Sequence, residues 1–236
     1  MDRNHEGRNA RESHVNLPLS KRVAAEAIGT FFLLAAVVGS GIMAERLAGG
    51  NSALALLANT AATGAALVAL IVTFGLISGA HFNPVVTLSI ASRRGLAWHD
   101  VPYYIVAQLV GAVTGVMAAN IMFGLHALFL SHHPRAGLTQ MFSEFVATFG
   151  LISIILGASR LPVAVVAVSV AAYISAAYWF TASTSFANPA VTLARSLSDT
   201  FAGIRIADVP GFVLAQSAGG VAATFLFRWL VPANPE

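Results

Sequence analysis

Apolar residues run along this chain in blocks longer than the buried face of a water-soluble helix. No Asp, Glu, Lys or Arg occurs in residues 27–44, 47–92, 101–134, 161–194 or 209–227. A membrane-spanning helix needs about 20 mostly apolar residues, so the longer blocks hold two elements each. The pattern predicts six spans, at residues 23–43, 54–77, 102–125, 138–157, 162–181 and 209–230. Two apolar stretches, 84–92 and 189–197, are left over and are too short to cross. Barrel strands are excluded, because those alternate over about 10 residues and these runs are long and rich in Ala, Leu and Gly.

The two halves repeat. Glu26-Ala-Ile-Gly-Thr-Phe31 corresponds to Glu144-Phe-Val-Ala-Thr-Phe149, and Asn83-Pro-Val-Val-Thr-Leu88 to Asn188-Pro-Ala-Val-Thr-Leu193. Val101-Pro102 followed by Ala107-Gln108 and Gly111 corresponds to Val209-Pro210 followed by Ala215-Gln216 and Gly219. Each half holds three spans, an odd number, so the second half enters from the opposite face. Such an inverted repeat brings symmetry-related parts together at the bilayer midplane. The predicted fold class is an all-α membrane protein with six transmembrane helices and two half-spanning helices in an inverted repeat. Residues 1–20 read as a polar, disordered tail. Residues 21–232 read as one channel domain, with repeat one at 21–125 and repeat two at 138–230.

Composition agrees with a membrane setting. Only 10% of residues are charged and 57% are hydrophobic, against roughly 25% charged in a soluble domain. The net charge of +3 is explained by topology and implies no nucleic-acid partner. With the N-terminus cytoplasmic, Arg3, Arg8, Arg11, Lys21, Arg22, Arg93, Arg94, Arg160 and Arg228 fall on the inner side. Arg46, Arg135, Arg195 and Arg205 fall on the outer side. The excess of inner basic residues predicts that both termini are cytoplasmic. With no cysteine in the chain, neither a disulfide framework nor a thiolate metal site is available. No cofactor is expected.

The two Asn-Pro pairs carry the functional signal. Proline fits the first position of a helix, where its missing N–H has no intrahelical role, and asparagine before it is a preferred cap. Asn83-Pro84 and Asn188-Pro189 are therefore helix starts placed inside membrane territory. About ten residues at 1.5 Å each give a helix about 15 Å long, half of a hydrocarbon core of about 30 Å. Two such helices entering from opposite faces meet end to end. The loops leading to them, 79–82 and 183–187, are irregular backbone at membrane depth, which is tolerated only against protein or a water-filled cavity. They are expected to wall a pore. Both helix N-termini carry roughly half a unit of positive charge and oppose cations. The asparagine NH2 groups are free to donate to a water, which then accepts from both and does not relay protons.

The pair SGAHFNPVVT and ANPAVT, the six spans and the Glu…Thr-Phe starts resemble the aquaporin and aquaglyceroporin family of major intrinsic proteins. The resemblance covers residues 21–230. It implies passive flow of water and small neutral solutes through one pore per subunit of a homotetramer, in the plasma membrane by default. Pore motifs then map to Asn83, Pro84, Val85, Asn188, Pro189 and Ala190. The resemblance also implies that Glu26 and Glu144 are buried carboxylates receiving backbone N–H groups from the two loops. His81 is expected to support its loop through a hydrogen bond.

The chain departs from the family pattern in two places. Val85 stands where alanine is usual, and its extra methyls are expected to change the constriction slightly. Val191 stands where the family places arginine. Spacing from the asparagines maps the remaining filter positions to Thr63, Ala176 and Ser185, so the filter Thr63, Ala176, Ser185 and Val191 is expected to be wide and uncharged. Polyols, urea-like amides or neutral metalloid hydroxides would pass alongside water. Arg195, four residues after Val191, is expected at the outer vestibule, paired with Asp199 or partly standing in for the missing guanidinium.

Other features are expected to be structural. Gly75-x-x-x-Gly79 and Gly111-x-x-x-Gly115 read as close helix contacts. Trp98, Trp179 and Trp229 read as interface anchors, and His126, His132 and His133 as an outer loop with no metal. A secondary transporter is the main alternative, since it too uses inverted repeats. It would need coupling acids at the midplane, where only Glu26 and Glu144 are available. No converging catalytic set supports an enzyme.

Overall fold

The computed structural model describes residues 17–231; most of the expected N-terminal tail, with Arg3, Arg8 and Arg11, lies outside them. The described residues form eight α-helices: α1 (Leu19–Leu47), α2 (Ser52–Ser78), α3 (Pro84–Ser92), α4 (Val101–Met122), α5 (Leu138–Ala158), α6 (Val163–Phe180), α7 (Pro189–Arg195) and α8 (Val209–Leu230). Six are long and apolar enough to cross a membrane, and α3 and α7 are the two short ones. Helix α1 begins at Leu19, inside the stretch expected to be tail, because Pro18 supplies a start whose carbonyl accepts from the Lys21 and Arg22 amides.

Local chemistry sets the boundaries. The Asn51 side chain caps α2 by accepting from Leu54 N at 3.1 Å. Gly79 ends α2 in the left-handed conformation, φ 90°, which glycine adopts without a steric cost. Thus Gly75 packs against Val163 as a close contact, whereas Gly79 is a cap rather than the second half of a contact motif. A 3₁₀ turn precedes both α4 (Trp98–Asp100) and α8 (Ile206–Asp208), and proline then occupies the first turn of each helix.

The repeat governs packing. Helix α1 lies along α4 as α5 lies along α8, α1 pairs with α2 as α5 pairs with α6, and each short helix touches the last helix of the other half. Without a hydrophobic drive between helices in lipid, close backbone approach supplies the contact energy. A Cβ on Gly111 or Gly115 would overlap the Ala27 or Phe31 carbonyl oxygen, and one on Gly219 would overlap that of Phe145. Large apolar side chains such as Leu57, Val106, Phe142, Val168 and Phe225 are exposed on the outside, as a lipid-facing belt requires. The chain is an integral, multi-pass membrane protein.

Candidate functional site

Each short helix starts at its asparagine. Asn83 accepts from Val85 N at 2.9 Å, and Asn188 accepts from Ala190 N at 3.0 Å and Val191 N at 3.3 Å. With the oxygen used as a cap, the amide nitrogens point onward and lock the two loops together. Asn83 Nδ2 donates to Ala187 O at 2.8 Å, and Asn188 Nδ2 donates to Phe82 O at 2.8 Å. Each asparagine thus holds the residue that immediately precedes its counterpart.

The loops behind them are strained in the same places. Ala80 and Phe82 have φ 49°, and their counterparts Ser185 and Ala187 have φ 51° and 49°. Left-handed non-glycine residues cost about 1–3 kcal/mol each and need surroundings that over-determine them. Buried carboxylates supply that. Glu26 accepts from His81 N (2.9 Å), Phe82 N (2.7 Å), Ser78 Oγ (2.7 Å) and Gln108 Nε2 (2.8 Å). Glu144 accepts from Phe186 N (2.9 Å), Ala187 N (2.8 Å) and Gln216 Nε2 (2.6 Å). The same two glutamines reach Thr87 Oγ1 at 2.9 Å and Thr192 Oγ1 at 2.8 Å, and those hydroxyls donate to the Asn83 and Asn188 carbonyls. One chain of hydrogen bonds therefore runs from carboxylate through amide and hydroxyl to asparagine, twice. The repeat marks Gln108 and Gln216 in the sequence, but their part in this hydrogen-bond chain depends on contacts between distant segments.

One cavity of about 970 Å³ passes the junction. Leu17, Leu96, Arg160 and Leu161 border it on the face where both termini emerge. Asn83 and Asn188 border its middle, and Thr63, Tyr178, Ser185, Val191 and Arg195 its opposite end. His81 also lines it, with Nδ1 3.2 Å from Thr87 Oγ1. Pro84, Pro189, Ala190, Glu26 and Glu144 are not in the lining.

Three expectations need correction. Ala176 is exposed on the outside of α6 and does not line the cavity. Successive residues turn by one part in 3.6 of a circle, so a shift of two positions swaps the inner face for the outer. Val163, Val166, Val170, Ile174 and Tyr178 form the inner face, and the Tyr178 hydroxyl lies 3.4 Å from Thr63 Oγ1. The outer end is therefore furnished with a phenol rather than a methyl, and is narrower than four small residues would make it. Val85 does not line the cavity either; its methyl fills the space above Gly220 of α8, while Val86 faces the lumen. Third, Arg195 does not pair with Asp199. Helix α7 ends at Arg195, so no helical turn carries residue 199 back toward it. Asp199 instead accepts from His132, through its backbone N at 2.8 Å and its ring Nδ1 at 2.9 Å.

Arg195 is buried, bonds through Nε to Ala202 O, and sits over Phe186 with its guanidinium carbon 3.4 Å from the ring centre. Arg135 approaches the same ring at 5.0 Å and is fastened to Gly203 O (2.8 Å) and Ser183 O (3.2 Å). Burial pushes the Arg135 guanidinium below its usual basicity. Neither Phe186 nor Arg135 was marked by the sequence pattern, since a lone aromatic and a loop arginine carry no spacing signal.

Comparison with known proteins follows the same lines. Residues 13–160 match the family described as Major intrinsic protein. The chain is 53% identical over 218 residues to Aquaglyceroporin AqpS of Rhizobium meliloti (strain 1021), covering 92% of this chain and 93% of that protein. It is 35% identical over 148 residues to Nodulin-26 of Glycine max, covering 62% of this chain but only 54% of that relative. Among solved structures, the aquaglyceroporin from Plasmodium falciparum superposes with TM-score 0.73 over 91% of this chain and 98% of that one, at 18% identity. That last likeness is one of fold.

Proposed function

The chain belongs to the major intrinsic protein family, and from that premise we propose that the cavity is its pore, a passive path for water and small uncharged solutes. The observation that carries the reading is that Asn83 and Asn188 border one lumen while each is held by the opposite loop. A carboxamide nitrogen has two hydrogens. One is spent on the opposite carbonyl, leaving the second for a water or solute oxygen. A water accepting from both amides has its lone pairs engaged at mid-pore and does not pass a proton along. Helices α3 and α7 point their N-termini at this region, and their partial positive charges, roughly half a unit each, oppose cations and hydronium.

The lining suits solutes with a carbon side and a hydroxyl or amide side. Leu33, Val37, Leu67 and Ile71 give one apolar wall. Thr63, Tyr178 and Ser185 supply polar atoms at the outer end. We read this as an aquaglyceroporin-like channel for polyols of glycerol size and for urea, in which Val191 leaves the family's arginine position apolar. Both termini would be cytoplasmic in the plasma membrane, since Lys21, Arg22, Arg93, Arg94, Arg160 and Arg228 gather on their side. A homotetramer with a pore in each subunit fits the family.

Glu26 and Glu144 bear on the transporter alternative. Both are fully buried, outside the lining, and saturated with donors, so neither is placed to exchange protons with the lumen. The deciding experiment is stopped-flow swelling of proteoliposomes under water, glycerol and urea gradients. Fluxes should rise linearly with gradient and ignore a proton gradient. Saturating or proton-driven uptake would turn the reading toward a transporter.

A further inference from the structure

At the end where both termini emerge, two arginines cross between helices of opposite repeats. Arg93, which follows the last residue of α3, donates through Nη2 to Val231 O just beyond α8, at 2.9 Å. Arg228, in the last turn of α8, donates through Nη2 to Ser92 O at the end of α3, also at 2.9 Å. Carbonyls at a helix C-terminus lack intrahelical partners, so each guanidinium closes the helix that carries the other. A guanidinium has five N–H donors, and this hold spends one from each. Neither arginine pairs with an acidic side chain among the described residues. Asp100, the one described carboxylate at this end, is taken by Arg22 at 2.8 Å, while Arg94 adds a further exposed charge. The pair also borders lipid. Val221, Phe225 and Arg228 fall at i, i+4 and i+7 on one face of α8, and Val221 and Phe225 belong to the exposed apolar belt. The Arg228 guanidinium carbon sits 5.6 Å from the Phe225 ring centre. Its neighbour Trp229 is 76% exposed, at the level where indoles anchor among headgroups.

We propose that Arg93 and Arg228 form a binding site for the headgroup phosphate of an anionic phospholipid, such as phosphatidylglycerol, in the leaflet at this end. Topology accounts for basic residues on this side, but not for two guanidiniums fixed together by a crossed pair of bonds. Arginine forks bind phosphate oxygens through parallel N–H bonds, and the crossed hold keeps both forks in place with donors to spare. The acyl chains run along the apolar face of Phe225 and Val221. A choline lipid presents the same phosphate, yet brings its own positive charge to two arginines that no carboxylate offsets. Inorganic phosphate lacks the chains that the stripe receives. Arg93, Arg228, Phe225 and Trp229 are all outside the cavity lining, so the inference does not depend on what the pore passes.

Native mass spectrometry of the full chain in detergent, titrated with phosphatidylglycerol or phosphatidylcholine, tests the site. The parent should retain phosphatidylglycerol at concentrations where phosphatidylcholine is lost. Arg93→Gln and Arg228→Gln should each raise the phosphatidylglycerol concentration needed by about fivefold, the effect of one basic charge near an anionic surface. Arg46→Gln is the control, because Arg46 also reaches a backbone carbonyl, Phe123 O at 2.9 Å, but at the opposite end. It removes the same charge and should change nothing. Arg228→Lys keeps the charge and loses the planar fork; it should still weaken retention, and it serves as the readout if loss of either charge prevents folding. Equal retention of the two lipids by the parent overturns the inference, as does an equal loss in Arg46→Gln. Full retention in Arg228→Lys together with either glutamine variant does the same. Displacement of the lipid by millimolar inorganic phosphate would make this a free-anion site and overturn the assignment to lipid.

Discussion

The Val85 side chain occupies the hollow that Gly220 leaves on α8: a Cβ added to Gly220 would overlap Val85 Cγ1 and lie 3.8 Å from Ile152 Cγ1. The departure from alanine at this motif position is thus matched by a glycine on the opposite repeat. Overpacking of this kind costs about 1–3 kcal/mol. Gly220→Ala should lower the thermal midpoint in detergent, and Val85→Ala in the same chain should restore most of it. Two losses that simply add would show that the residues do not share that space.

Glu144→Gln replaces an acceptor oxygen with an NH2 group among three donors, Phe186 N, Ala187 N and Gln216 Nε2. One donor is left without a partner and faces another, at a cost of about 1–3 kcal/mol. Loop 183–187 should loosen, which hydrogen exchange at Phe186 and Ala187 would report as faster opening. Water flux per folded protein should fall as well. Unchanged exchange would mean that the loop holds its shape without the carboxylate.

Ala176 and Tyr178 make opposite predictions. Ala176→Leu places a larger side chain on the outside of α6 and should leave water and glycerol fluxes as they are. Tyr178→Ala removes a phenol from the lumen and should raise glycerol flux more than water flux. Stopped-flow measurements on both variants check the facing of the helix, and a flux change confined to the Ala176 variant would reverse it.

The outer loop carries a pH-sensitive tie. Asp199 accepts from His132 through backbone N–H and ring, and these bonds hold its carboxyl below its ordinary 3.8. A group with a depressed folded value contributes fully above its unfolded value and loses that contribution as pH falls through the folded one. The tie should therefore be intact at neutral pH and fade below about pH 4. The protection of the His132 amide, its exchange rate relative to an unstructured amide at the same pH, should fall on acidification in the parent and be low at all pH in Asp199→Asn.

Much of this architecture is legible in the chain because it rests on local chemistry. Asn83-Pro84 and Asn188-Pro189 mark helix starts through capping and a missing N–H, and both helices begin there. The helix ends fall within a few residues of the predicted span ends, because apolar runs record lipid contact directly. Facing was harder. Counting back from Asn188 to Ala176 crosses an irregular loop, and an error of two residues there turns a lumen position into a lipid one. The expected bond between Arg195 and Asp199 assumed a helix that continues, whereas α7 stops at Arg195. The crossed hold of Arg93 and Arg228 and the Gly220 hollow depend on packing between distant segments, which no single stretch of sequence records.

The mutual hold of the two asparagines has a consequence for how the chain is made. Asn83 needs the carbonyl of Ala187, and Phe82 offers its own to Asn188, yet about a hundred residues separate them. During synthesis the earlier half reaches the bilayer with its amide and carbonyl unmatched, and stays so until the later half has been threaded in. Nascent protein arrested before residue 187 should be an open, protease-sensitive species, and maturation of the molecule becomes a single late closing event.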